Sequence, residues 1–177
     1  MPNQFEIDVK KVREDARAHM AAGPVTATYE AQKGRVVEVL NDVIATEVVC
    51  FLRYSQNAIA ATGIDRTQVA AEFTEHAREE LQHGLRAAER VSQLGGRPDF
   101  DPATLMARSH TEYVAPDEGD LKRMLAENLV AERIVITTYQ EIIRWIGDGD
   151  PTTRRLLEGI LADEEEHADD LVDLLGA

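Results

Sequence analysis

The sequence predicts an all-α fold: a four-helix bundle with a long crossover between helices 2 and 3, plus a short N-terminal helix. Three observations carry this. Apolar residues recur with a period near 3.6 through four long segments. The connections between those segments run short, long, short, which describes two helical hairpins joined across a bundle. Aromatic residues make up only 5% of a chain rich in Ala, Leu, Glu and Arg, a balance that leans towards helix.

Residues 6–21 form a charged, weakly amphipathic helix that Gly23-Pro24 ends. Residues 1–28 therefore read as an N-terminal helical extension and 29–177 as the bundle domain. The first long helix is expected over 29–62, with Val36, Val37, Leu40, Val43, Ile44, Glu47 and Leu52 near one broad face. Gly63 stops it, and Asp65 or Thr67 caps a second helix that runs to Leu94 before Gly95-Gly96. Residues 97–118, "RPDFDPATLMARSHTEYVAPDE", are rich in Pro and Asp and read as the crossover, holding one short helical turn. A connection this long in a compact domain should traverse the bundle, and it can span about 40 Å with slack. The third helix covers 120–146. "GDGDP" then turns the chain, with Asp150 as N-cap and Pro151 at the first position of a fourth helix that runs almost to the end.

The totals narrow the function classes. Hydrophobic residues at 44% against 29% charged suit one soluble domain with a real core. No apolar run approaches the roughly 20 residues needed to cross a bilayer. The start "MPNQFEIDVKK" lacks the apolar centre of a secretory signal, and Cys50 stands alone, so the expected compartment is the cytoplasm. Nineteen basic against 33 acidic residues give a net charge of −14. That disfavours nucleic acid and anionic membranes as partners and favours cations.

The stretch "ILADEEEHADDLVDLL" (160–175) places four acids before a histidine, which alone reads as a solvated helix face. A repeat overturns that reading. "REELQH" and "ADEEEH" each contain Glu-x-x-His, Glu80 with His83 and Glu164 with His167, 84 positions apart on the second helix of each hairpin. The first helix of each hairpin carries one acid in an apolar stretch, Glu47 in "IATEVVCFL" and Glu132 in "LVAERIVIT", 85 apart. Seven residues beyond each stands a tyrosine, Tyr54 and Tyr139.

From each glutamate to its hairpin turn is about 20–22 Å of helix, so all four reach one level of the bundle. Residues three apart share a helix face, so both histidines point there too. Buried carboxylates without partners cost several kcal/mol each or take up protons. Two first-row metal ions would resolve this, with bridging and terminal carboxylates and one imidazole each, as in di-iron and di-manganese bundles. Oxygen-rich ligation without thiolate points to Fe or Mn before Zn or Cu(I). Glu165 and Glu166 are expected on the wet face. Glu79 and Asp163, each beside a ligand Glu, are read as orienting the opposite histidine, against surface salt bridging as the alternative.

The segments "NDVIATEVVCFLRYSQNA", "EHAREELQHGLRAAERVSQLGGRPDF", "LVAERIVITTYQEII" and "ADEEEHADDLVDLL" resemble the ferritin-like superfamily. Within it they resemble bacterioferritins and Dps-like ferritins with an intra-bundle di-iron centre. The resemblance implies a ferroxidase and iron-storage protein that binds two Fe ions per subunit (Mn being the other candidate). Fe(II) would be oxidised with dioxygen or hydrogen peroxide and stored as ferric mineral in a homo-oligomeric cage. It implies Glu47, Glu80, His83, Glu132, Glu164 and His167 as the six metal ligands and catalytic residues. Bacterioferritins bind haem through a methionine placed where this chain has Leu81, so no haem is expected. The bacterioferritin fifth helix has no counterpart here, and some 30 residues precede the bundle, so a cage of 12 subunits is favoured over 24. The alternative is a non-storage di-iron or di-manganese oxidase or peroxidase.

Four lesser candidates remain. Cys50, one turn after Glu47, is expected as a small buried core residue. Tyr54 and Tyr139 either hydrogen-bond a ligand carboxylate or supply an electron, or are simply core tyrosines. His76 is expected at the rim, with a route for incoming iron as the alternative. His19 and His110 fall in peripheral segments and are assigned nothing.

Overall fold

The computed structural model describes residues 5–116 and 120–176. The first residues of the N-terminal extension, the end of the crossover at 117–118 and the terminal Ala177 lie outside them. Six α-helices appear in order: α1 (Val9–Ala18), α2 (Lys33–Ala60), α3 (Arg66–Gln93), α4 (Leu105–Arg108), α5 (Leu121–Ile146) and α6 (Pro151–Leu175). Among the described residues there is no strand, and no helix is long and apolar enough to cross a membrane.

Local chemistry sets the boundaries. Asp120 and Asp150 cap α5 and α6, accepting from the backbone N–H of Arg123 and Thr153. At the end of α3 the N–H of Gly95 reaches the carbonyl of Ser92 and that of Gly96 reaches Val91, a Schellman closure with Gly95 at φ +76°. Gly96 is also required by packing, because a Cβ there would fall 2.6 Å from Val37 Cγ1.

Two expected boundaries moved. The N-terminal helix starts at Val9, since Asp8 caps it by accepting from the N–H of Lys11, and it closes in a short 3-10 turn at Met20–Ala22. The first bundle helix starts at Lys33 and not at Tyr29. The N–H of Ala31 bonds to the carbonyl of Gly149, and the Tyr29 hydroxyl donates to Asp150, so this segment is spent on tertiary contacts. Leu52 is 45% exposed and not on the core face. It lies about 140° round the helix from Glu47, and the buried stripe continues through Cys50 and Tyr54 instead.

Neighbouring helices in the bundle run antiparallel. Glu47 pairs with Tyr139 and Tyr54 with Glu132 across α2 and α5, while His83 pairs with Asp163 and His167 with Glu79 across α3 and α6. The crossover makes this possible by running along α2. Asn41 holds the backbone of Arg97 and Asp99, Thr46 holds His110, Arg53 holds the Glu112 carbonyl, and Tyr113 reaches Gln56. That climb covers about 22 Å of helix. Two apolar clusters fill the bundle, one around Leu40, Ile44, Val91, Leu157 and Ile160, the other around Phe73, Met124, Leu125 and Leu171. Between them lies a polar layer.

Candidate metal centre

The layer holds Glu47 from α2, Glu80 and His83 from α3, Glu132 from α5, and Glu164 and His167 from α6, all at most 2% exposed. Each arrives there because it occupies the inward stripe of its helix: Glu47 lies between Ile44 and Tyr54, Glu164 between Ile160 and Leu171. Glu165 and Glu166 are exposed. The structure thus brings together all six residues singled out from the repeat.

They fall into two overlapping groups. Glu47, Glu80, His83 and Glu164 offer ligand atoms within 4.8 Å of one another, and so do Glu80, Glu132, Glu164 and His167. Glu80 and Glu164 belong to both. The arrangement therefore offers two adjacent positions, each with one imidazole, one carboxylate of its own and two shared carboxylates. The donor set fits cations on a further count. Both oxygens of Glu80, one oxygen each of Glu47, Glu132 and Glu164, and Nδ1 of His167 are buried without a hydrogen-bond partner. Such atoms are rare in folded proteins unless something else satisfies them.

Each histidine is gripped from outside the layer. His83 Nε2 lies 3.0 Å from Asp163 and His167 Nε2 lies 2.7 Å from Glu79. Hydrogen bonds from Nε2 to these carboxylates turn Nδ1 inward, where a neutral ring would offer its lone pair to a cation. His83 Nδ1 accordingly sits 3.0 Å from Glu164 and 3.6 Å from Glu47, and His167 Nδ1 3.4 Å from Glu164 and 3.8 Å from Glu80. The tyrosines are also crossed between halves: Tyr54 donates to Glu132 and Tyr139 to Glu47. Burial, reinforced by the adjoining carboxylates, pushes both phenols well above their ordinary range, so they stay donors.

The electrostatics of the protein groups alone show how much negative charge is concentrated here. Burial, and next the Glu164 carboxylate, pushes Glu80 and Glu132 well above the usual carboxylate range. Burial also opposes charge on Glu164 and on the two imidazoles, but their mutual hydrogen bonds prevail. Glu164 goes down, and His83 and His167 go up. The layer sets four carboxylates against only two imidazoles of its own.

Two buried groups near the layer, Arg53 and Asn128, escaped the sequence reading, and a third, His76, lies deeper than expected. Arg53, 1% exposed, donates to Asn128 Oδ1 at 2.7 Å, to the Glu112 carbonyl and to Cys50 Sγ. Its guanidinium brings positive charge to the side of the layer, where Glu132 and Glu80 help to raise its pKa against the effect of burial. Asn128 has no counterpart in the other half-repeat, and its signal was its position on the inward stripe of α5. His76 is the third. It was expected at the rim and is instead 1% exposed, its ring stacked on His167 at 4.0 Å and edge-on to Tyr54. Two turns before His83, it follows the same inward stripe. Cys50 is a buried free thiol, pushed up to about 12 by burial. His110 bonds to Thr46 and meets the edge of Tyr139, while His19 is exposed.

The model of the ferritin-like domain matches residues 37–177. The chain belongs to the ferritin-like family. Among curated ferritin-like relatives it is 27% identical to a bacterioferritin from Desulfovibrio desulfuricans over 139 residues, 78% of this chain and 73% of that one. It is 28% identical over 137 residues to a nutrient stress-induced DNA-binding protein of a Synechococcus species, covering 76% and 77% of the two chains. Among solved structures, the bacterioferritin-related protein of Bacteroides fragilis, described as a dodecameric thioferritin, superposes with a TM-score of 0.80 at 30% identity, over 94% of this chain and 93% of that one. The Dps of Thermosynechococcus elongatus shares the fold at a TM-score of 0.77 and 22% identity, over 81% and 91%.

Proposed function

We propose that this ferritin-like protein is a ferroxidase that oxidises Fe(II) within its bundle and stores the ferric product in a cage built from copies of itself. The observation that carries the reading is the pair of overlapping ligand groups sharing Glu80 and Glu164. Two Fe(II) ions per chain are the substrate. Glu80 and Glu164 would serve both, Glu47 with His83 would hold one, and Glu132 with His167 would hold the other. Two ions would supply two electrons together, which with two protons from solvent reduce dioxygen to hydrogen peroxide, or hydrogen peroxide to two molecules of water. Asp163 and Glu79 fix the imidazoles, and Tyr139 and Tyr54 fix the outer carboxylates, so little reorganisation accompanies the change in charge. Oxygen-rich ligation also admits Mn(II).

The cage rests on other observations. A net charge of −14 suits a lining that attracts cations and runs against a nucleic-acid partner. The N-terminal segment exposes Phe5, Ile7, Val9 and Val12, and α1 buries none of its residues within the chain. An amphipathic helix left so is suited to packing against a second copy. We favour 12 subunits, the number described for the Bacteroides fragilis relative. A cytoplasmic location fits this reading.

The test is iron loading in air, followed by native mass measurement and electron microscopy. A shell of about 12 chains around an electron-dense core is expected. A dimer as the largest species, with Fe(II) oxidised but no core, would replace storage by a di-metal oxidase or peroxidase.

A further inference from the structure

Beyond the six-residue layer, the α3/α6 ladder has one more rung. His83 faces Asp163, Glu79 faces His167, and one turn further on His76 faces Asp170. Glu72, four residues before His76 on α3, faces the same ring. His76 Nε2 lies 3.3 Å from Glu72 Oε1 and 3.6 Å from Asp170 Oδ2, yet neither carboxylate is aligned as its hydrogen-bond acceptor. Both ring nitrogens of this 1% exposed imidazole are without a hydrogen-bond partner. The two carboxylates are open to solvent, with side chains 28% and 44% exposed.

Two carboxylates closing on one imidazole nitrogen at these distances match the edges of a coordination polyhedron. Ligand atoms each about 2.1 Å from one ion lie about 3.0 Å apart in an octahedron and about 3.4 Å in a tetrahedron. We infer that Glu72, His76 and Asp170 form a third divalent-cation site, outside the dinuclear layer and open to solvent on its carboxylate side.

Its place gives it a role. The His76 ring is stacked on His167 at 4.0 Å, so a cation held by Nε2 waits one side chain away from the layer. The acids attract a hydrated ion, the imidazole exchanges for part of its water, and the ion next meets Glu79 or the inner carboxylates. Delivery of Fe(II) in this way rests on the ferroxidase reading. Binding of a cation does not.

Crystals of the full-length protein soaked in Co(II) alone test the site through anomalous maps, with equilibrium dialysis against Co(II) counting ions per chain. The comparison is the double variant Glu72→Gln, Asp170→Asn, whose changes are at solvent-accessible side chains and whose fold is checked by circular dichroism. The expected result is a peak bounded by Glu72, His76 and Asp170 in the natural protein. The variant should lose that peak and one equivalent of Co(II) while retaining the inner two. Inner peaks without the outer one, or equal stoichiometry in both proteins, would overturn the site. An outer peak without inner ones would support it and remove the ferroxidase reading, and a map empty at both would remove both. For delivery, the variant should need several-fold more Fe(II) for half-maximal oxidation at an unchanged maximal rate. An unchanged half-maximal concentration would overturn that role.

Discussion

His167 Nε2 lies 2.7 Å from Glu79, the chain neighbour of Glu80, while His83 Nε2 lies 3.0 Å from Asp163, the chain neighbour of Glu164. Each Glu-x-x-His helix thus supplies both a shared carboxylate to the layer and the clamp on the other helix's imidazole. Glu79 is half-exposed, so replacing it should leave the fold intact. Glu79→Ala should weaken metal binding by about 10–100-fold, with Glu79→Gln recovering part of the loss through its amide oxygen. Co(II) titration measures this. Equal affinities in all three proteins would reduce Glu79 to a surface charge.

On the ferroxidase reading the shared carboxylates should carry the chemistry. Glu80→Gln with Glu164→Gln keeps volume and removes both charges common to the two ligand groups. Stopped-flow oxidation of Fe(II) should lose its fast phase, leaving a rate near that of buffer. Retention of the full rate in a folded double variant would sink the assignment of this layer.

The centre was legible because its parts come twice. Glu47, Tyr54, Glu80, His83 and their twins keep an offset of 84 or 85 positions, and a single inward stripe per helix carries them to one level. Arg53, Asn128 and His76 have no such twins: at the same offsets stand Thr138, Val43 and Ile160. Polar residues that occur once can only be placed by knowing what faces them, and their partners come from other helices and the crossover. The start of α2 was misread for a related reason. Tyr29 and Ala31 continue a helical pattern locally, but their donors are taken by Asp150 and Gly149, more than a hundred residues away. Local periodicity carries no record of such a contact.

Metal should also stabilise the fold. Binding confined to the folded state adds about 2.7 kcal/mol per site at a free concentration a hundred times Kd. Two sites in a chain of this size then raise the melting temperature by roughly 10–20 °C. Protons compete for the same oxygen and nitrogen atoms, so the gain should shrink from pH 7 to pH 5. Calorimetry with Mn(II) or Co(II), which do not oxidise during the scan, measures it. No shift at pH 7 would mean that the layer is closed to metal.

A second buried charge cluster, remote from the metal layer, fixes the other end of the bundle. Asp150 accepts from the Thr153 N–H and hydroxyl at 2.9 and 2.6 Å, from Arg90 at 2.9 Å and from the Tyr29 hydroxyl at 2.9 Å. One carboxylate thus caps α6, neutralises a buried guanidinium of α3 and anchors the segment before α2. Burial opposes its charge, but the bonds from Thr153, Tyr29 and Arg90 outweigh that and hold its pKa below the usual aspartate value. Asp150→Ala strands the Arg90 cation and should cost about 3 kcal/mol at neutral pH. Asp150→Asn keeps a capping oxygen and should cost less. Because the folded pKa is depressed, the charge contributes fully above the unfolded value of about 3.9, and its contribution is lost as pH falls through the folded pKa. The gap in melting temperature between natural protein and Asp150→Asn should therefore be constant from pH 7 to about 5 and narrow below pH 4. A gap independent of pH down to 3 would show that geometry, and not charge, is what Asp150 contributes.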